Sequence, residues 1–198
     1  MSELSESDLV QSAKLRAVTE NLFFWQGLRF VPVAAVMAAL GLTIAVPGLD
    51  ELTANVVLVA MLVLGSMAVH LAGLKYRRDM GNVSPIPGAH RKRSRVKWLL
   101  VYPIMFAALW LDFRYPQPLF FTGATWAIAV FLYRYSTGGG RDHYLVLAGV
   151  LGAFTLAPLV AKVEGAPLVG LFMLVLGAGM AASFTLDDRE MRSVLRGT

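Results

Sequence analysis

His70 and His143 are the side chains best suited to chemistry near neutral pH, because an imidazole can ligate a metal or haem, relay protons or bridge helices. His70 lies inside an apolar stretch, four residues before its end, and His143 opens another, so helices ending on one side would let the two approach. Without an acid or thiol at ligand spacing they make a poor metal set; an interfacial or satisfied imidazole is the preferred reading, and no metal or cofactor is expected. Arg29, well inside an apolar segment, is functional by default if deep, but beside Trp25 it can instead snorkel to the headgroups, the reading preferred here. Asp112 and Arg114 in "LDFRYPQP" would suit a gate or substrate contact, although solvated loop charges explain them as well. Asp187, Asp188 and Glu190 in "TLDDREMRSVL" have Mg²⁺-binding chemistry, yet Arg189 and Arg192 stand ready to pair with them on an amphipathic tail. "STGGGRDH" (136–143) lacks the lysine and the preceding strand of a phosphate loop and reads as a turn. No nucleophile elbow, zinc-protease pair or dinucleotide fingerprint is present.

The elements that must carry these residues follow from composition. Of 198 residues 57% are apolar and 16% charged, against about 45–50% and about 25% in soluble domains, so the apolar excess calls for a bilayer. Measured against the roughly 20 apolar residues of a spanning helix, the sequence predicts an all-α polytopic bundle of six membrane helices. Their approximate ranges are 22–46, 52–74, 96–113, 118–134, 144–161 and 166–186, in one domain covering 21–186. An arm (1–20), a basic loop (75–97) and a tail (187–198) complete it. The third and fourth segments are short enough that a re-entrant hairpin competes with spanning. Proline marks each expected outer turn, at Pro47, at Pro116 and Pro118, and at Pro167, which arranges the six segments as three antiparallel hairpins. The arm is acidic and polar, without the basic start and apolar core of a cleavable signal. Absence of cysteine rules out thiolate metal sites and thiol redox catalysis.

Charge then orients the bundle. Net charge is +5, but its distribution matters more than its sum. With six segments, fifteen of the 18 Lys and Arg fall on one side, sixteen with Arg29, and only Arg114 and Lys162 on the other, so both termini are expected in the cytoplasm at the cell membrane. Eight of them, Lys75, Arg77, Arg78, Arg91, Lys92, Arg93, Arg95 and Lys97, crowd one loop and are expected to contact anionic headgroups. Only Tyr76 is available for stacking in that loop, so nucleic acid is not an expected partner.

Small residues four apart, Gly149 with Ala153, Gly177 with Ala181 and Gly179 with Ser183, predict close packing of the fifth and sixth helices, within one chain or across a homodimer. "WQGLRFVPVAAVMAAL" and "WLLVYPIMFAALWL" share a faint similarity of the kind that membrane-helix composition produces. The stretches "FFWQGLRFVPV" (23–33), "YRRDMG" (76–81), "DHYLVLAGVL" (142–151) and "LDDRE" (186–190) resemble small bacterial six-helix integral membrane proteins built from three hairpins. That resemblance implies fold and compartment and no reaction.

The functional expectation is a non-catalytic accessory or regulatory subunit of a membrane complex, docking through the arm or the basic loop. A small-molecule transporter or permease subunit is the alternative, with Arg29, Asn55, His70, Thr122, Thr125 and His143 as the polar residues facing a pathway or ligand. An intramembrane enzyme acting on lipids through His70, His143 or the 187–190 acids stands third.

Overall fold

The protein is described from a computed structural model covering residues 25–45, 51–80, 101, 103–112, 114, 119–136, 141–162 and 165–196. Every regular element among these residues is helical. A 3₁₀ turn, Gly27–Arg29, leads into α1 (Val31–Ala45), followed by α2 (Glu51–Met80), α3 (Pro103–Asp112), α4 (Phe121–Ser136), α5 (His143–Phe154), α6 (Ala157–Ala161) and α7 (Ala166–Arg196). Where they are described, the apolar runs are largely helical. Two, α2 over Val59–Asp79 and α7 over Ala166–Leu195, are long and apolar enough to cross a bilayer. The described residues are thus all-α, with two candidate spans among them.

Several boundaries differ from the sequence expectation for physical reasons. α2 runs six residues past Leu74 to Met80, placing Lys75, Arg77 and Arg78 on its final turns. α7 continues to Arg196, so the acids at 187–190 lie within a helix. Between α5 and α6 the helical hydrogen bonding breaks at Thr155 and Leu156, because Pro158 has no N–H and its ring crowds the carbonyl one turn earlier. The freed Thr155 carbonyl accepts the Phe120 N–H at 3.0 Å, tying this break to the start of α4. Pro32 and Pro167 sit in the first turns of α1 and α7, where no helical donor is required.

α7 is the central element, with α1 against one flank and α5 against another; α2 lies on α1, and α4 on α5. The α1–α7 contact is made backbone to backbone. A Cβ at Gly177 would stand 2.5 Å from the Ala34 carbonyl oxygen, and one at Gly170 would stand 2.6 Å from the Ala45 nitrogen and 2.7 Å from the Gly41 carbonyl oxygen. Gly177, expected against the fifth helix, in fact meets the first. Gly179 does face α5, through Leu147, whereas Gly149 has no atom within 4 Å of its Cβ position. Around α5 and α7 the apolar core gathers Phe120, Tyr144, Leu147, Leu151, Phe172 and Leu176, with the Phe172 ring set edge-on to Phe120 and Phe154.

Asp112 is tied to the next helix rather than standing as a loose loop charge. Its carboxylate accepts the Phe121 N–H at 2.9 Å and the Thr122 N–H at 2.6 Å, capping α4 from the end of α3. Asp112→Ala should cost about 0.5–2 kcal/mol, with Asp112→Asn falling between variant and parent. Thermal unfolding in mild detergent checks this, and a melting temperature unchanged in Asp112→Ala would refute the capping role.

Candidate functional site: a sealed charged cluster at one end of the bundle

Among the described residues, a dense set of polar side chains gathers near the ends of α2, α4 and α7, where α5 begins and Trp25 precedes the 3₁₀ turn. Asp187, on α7, is at the centre. Its side chain and that of Arg141 are both wholly inaccessible, with Arg141 Nε 3.3 Å from Asp187 Oδ1. His143 Nε2 lies 3.2 Å from the same oxygen, and the Tyr144 hydroxyl donates to Oδ2 at 2.7 Å. The guanidinium is roofed by aromatic faces, with its Cζ 3.8 Å from the Trp25 ring centroid and 5.9 and 6.0 Å from those of Tyr133 and Tyr144. A desolvated cation on a tryptophan face is held by about 2 kcal/mol or more.

A second set adjoins the first. The buried Asp188 accepts the Tyr76 hydroxyl from α2, and the Arg192 Nε donates to its other oxygen at 2.8 Å. Met191, also buried, packs with Trp25 and Tyr76. One helical residue advances the side chain by about 100°, so Asp187 and Asp188 look in different directions and bind different neighbours. Outside the sealed part, Arg134 pairs with the exposed Asp142 at 2.6 Å.

A histidine held by an aspartate is one half of an acid–base catalyst. Here the carboxylate already serves Arg141 and Tyr144, so its charge is matched inside the protein and the geometry suits a permanent tie between elements. Taking ions out of water is expensive and is repaid only when they are paired and hydrogen-bonded, which makes each member of such a set costly to remove.

The candidate residues read from sequence are dispersed. Arg29 is half-buried at the same end, its guanidinium against Gly73 of α2. His70 is exposed on α2, and of the two histidines only His143 meets the acids. Thr122 is buried at the start of α4, about 17 Å along the axis from Tyr133, with its hydroxyl lacking a hydrogen-bond partner. Thr125 returns its hydroxyl to the Thr122 carbonyl at 3.0 Å. Asn55 falls on α2, while Arg91, Lys92, Arg93, Arg95 and Lys97, the 1–20 arm and the outer turns at Pro47 and at Pro116 to Pro118 lie outside the described residues. Sequence reading missed Arg141 and its partnership with Asp187. The available signal was "RDHY" at the start of the fifth apolar run and "DDRE" at the end of the sixth, which the charge count puts on one side.

Among the described residues, fold and cluster together define an all-α arrangement with two helices suited to a bilayer and a sealed ionic tie at one end. Comparison with protein-family profiles, with curated proteins and with solved structures yields no match.

Proposed function

We propose that the chain is a multi-pass protein of the cell membrane, with both termini cytoplasmic, acting as a non-catalytic accessory or regulatory subunit of a membrane complex. The observation that carries the membrane reading is the surface of α2. Only 17% of its apolar span is buried, and Val59, Leu62, Val63, Leu64, Met67, Leu71 and Leu74 all face outward. A core helix of a soluble protein would bury such a face, and an apolar surface this extended in water would drive association. Exposed Phe106 and Trp110 on α3, Ile128 and Phe131 on α4, Val146 on α5 and Val160 on α6 extend the same character around the bundle. A six-helix bundle accommodates this surface, with α5 and α6 forming one broken span.

The non-catalytic part of the reading is supported by how the charges are used. Asp187 and Asp188 are each ion-paired to an arginine and each accept a tyrosine hydroxyl, which suits a rigid end for docking better than a reaction centre. The transporter alternative gains less support, because Arg29, His70 and Thr122 do not gather along one path.

The cysteine-free chain is a ready background for labelling. Arg189→Cys is expected to react with an impermeant maleimide only from the cytoplasmic side, and Lys162→Cys only from the opposite side. Labelling of both from one side would overturn the topology. Purification from native membranes in gentle detergent should bring a stoichiometric membrane partner, and repeated recovery of a lone monomer would end the subunit proposal.

A further inference from the structure

At the cluster end, three helices change surface character at one level. On α2 the exposed Leu71 and Leu74 give way to exposed Lys75, Arg77 and Arg78; on α4 exposed Phe131 and Leu132 give way to Tyr135; on α7 exposed Leu186 gives way to Arg189. That level coincides with buried Tyr76 and Asp187 and half-buried Tyr133, so the sealed cluster stands at the depth where apolar surface meets polar surroundings. The Tyr76–Asp188 bond holds the ends of α2 and α7 side by side, with Lys75 and Arg77 flanking Tyr76 and Arg189 next to Asp188. Three acids at this end are neutralised by arginines that are not in the outward set: Asp142 by Arg134, Asp187 by Arg141 and Asp188 by Arg192. The exposed Asp79 offsets one outward cation and Glu190 is half-buried, leaving the outward charge positive.

We infer that Lys75, Arg77, Arg78 and Arg189 form a collar that binds the phosphate groups of anionic phospholipids. The inference rests on the membrane-spanning reading. Outward-directed cations just beyond an apolar belt match a headgroup phosphate in charge and depth, and each basic residue near an anionic surface contributes about 1 kcal/mol, or about fivefold in affinity. Internal pairing of the acids is what makes this possible, since unpaired carboxylates at the same level would repel the same lipids. The sealed cluster thereby sets the sign of the surface around it.

The test uses the full chain reconstituted in vesicles of equal parts phosphatidylglycerol and phosphatidylcholine, with spin-labelled lipids reporting which headgroup is retained at the protein. The parent should prefer phosphatidylglycerol, and each Gln substitution among the four should weaken that preference about fivefold. Equal retention of both lipids by the parent, or an undiminished preference in the quadruple Gln variant, would overturn the collar. Loss of lipid preference on adding millimolar inorganic phosphate at constant ionic strength would assign the residues to free phosphate instead and overturn the lipid assignment. Resistance to carbonate extraction separates the two levels of the proposal. A chain that is extracted sinks the membrane reading and the collar together, whereas an integrated chain with no lipid preference sinks only the collar.

Discussion

Asp187→Ala should be among the most destabilising single substitutions in the chain. Removing the carboxylate leaves the Arg141 guanidinium sealed without its counter-charge, and breaking one side of a buried pair costs about 3–5 kcal/mol. It also leaves the Tyr144 hydroxyl without its acceptor. For a chain of this size that corresponds to a fall in melting temperature of about 6–20 °C, read in mild detergent. Asp187→Asn can still accept from Tyr144 but cannot balance the guanidinium, so it should resemble the alanine variant more than the parent. Replacing both partners by apolar residues of similar volume, Arg141→Met with Asp187→Leu, removes the uncompensated charge and should recover most of the loss. A double variant no more stable than either single one, or an Asp187→Ala chain melting within 2 °C of the parent, would show that the pair does not tie the elements together.

The second large effect is expected at Gly177. The atoms its Cβ would strike belong to the α1 backbone, the Ala34 carbonyl and the Ala38 nitrogen and Cα, which cannot swing aside as a side-chain tip can. Gly177→Ala must therefore push α1 away from α7, at about 1–3 kcal/mol, and Gly177→Leu must cost more. Gly149→Ala is the matched control, because its Cβ position is open and the alanine gains up to about 1 kcal/mol of helix propensity. Melting temperatures should move in opposite directions in the two alanine variants. Spin labels at Val33→Cys and Leu186→Cys, both exposed in the parent, should report a longer distance in the Gly177 variants. Equal behaviour of Gly177→Ala and Gly149→Ala would contradict the backbone contact.

The helical class was legible because apolar runs bounded by proline and charge encode it locally. The site was legible only in part. Asp188 with Arg192 is a spacing of four on one helix face, so an acid paired with the tail arginines can be read directly from "DDREMR". Asp187, one residue earlier, turns inward to Arg141 of "GGGRDH", and nothing in the spacing of either stretch carries that partnership. Glycines beside the arginine suggest a solvated turn, yet the side chain that follows them is wholly buried. The small-residue stripe shows the same limit, since Gly177 announces that a backbone comes close without saying whose. The break at Pro158 is not read from the sequence, where 144–161 stands as one segment, and its consequence, a carbonyl released to Phe120, depends on where α4 starts.

The glycine contact between α1 and α7 also has a schedule. Gly41 and Gly170 are separated by more than a hundred residues, and Tyr76 lies 112 residues before its acceptor Asp188. At about 5–20 residues per second, the ribosome takes on the order of ten seconds to produce the second partner after the first. Through that interval α1 holds an open backbone groove shaped for a helix that has yet to be made. Closure of the bundle is consequently a late event in biogenesis, and chains halted before α7 should remain substrates for chaperones and quality-control proteases.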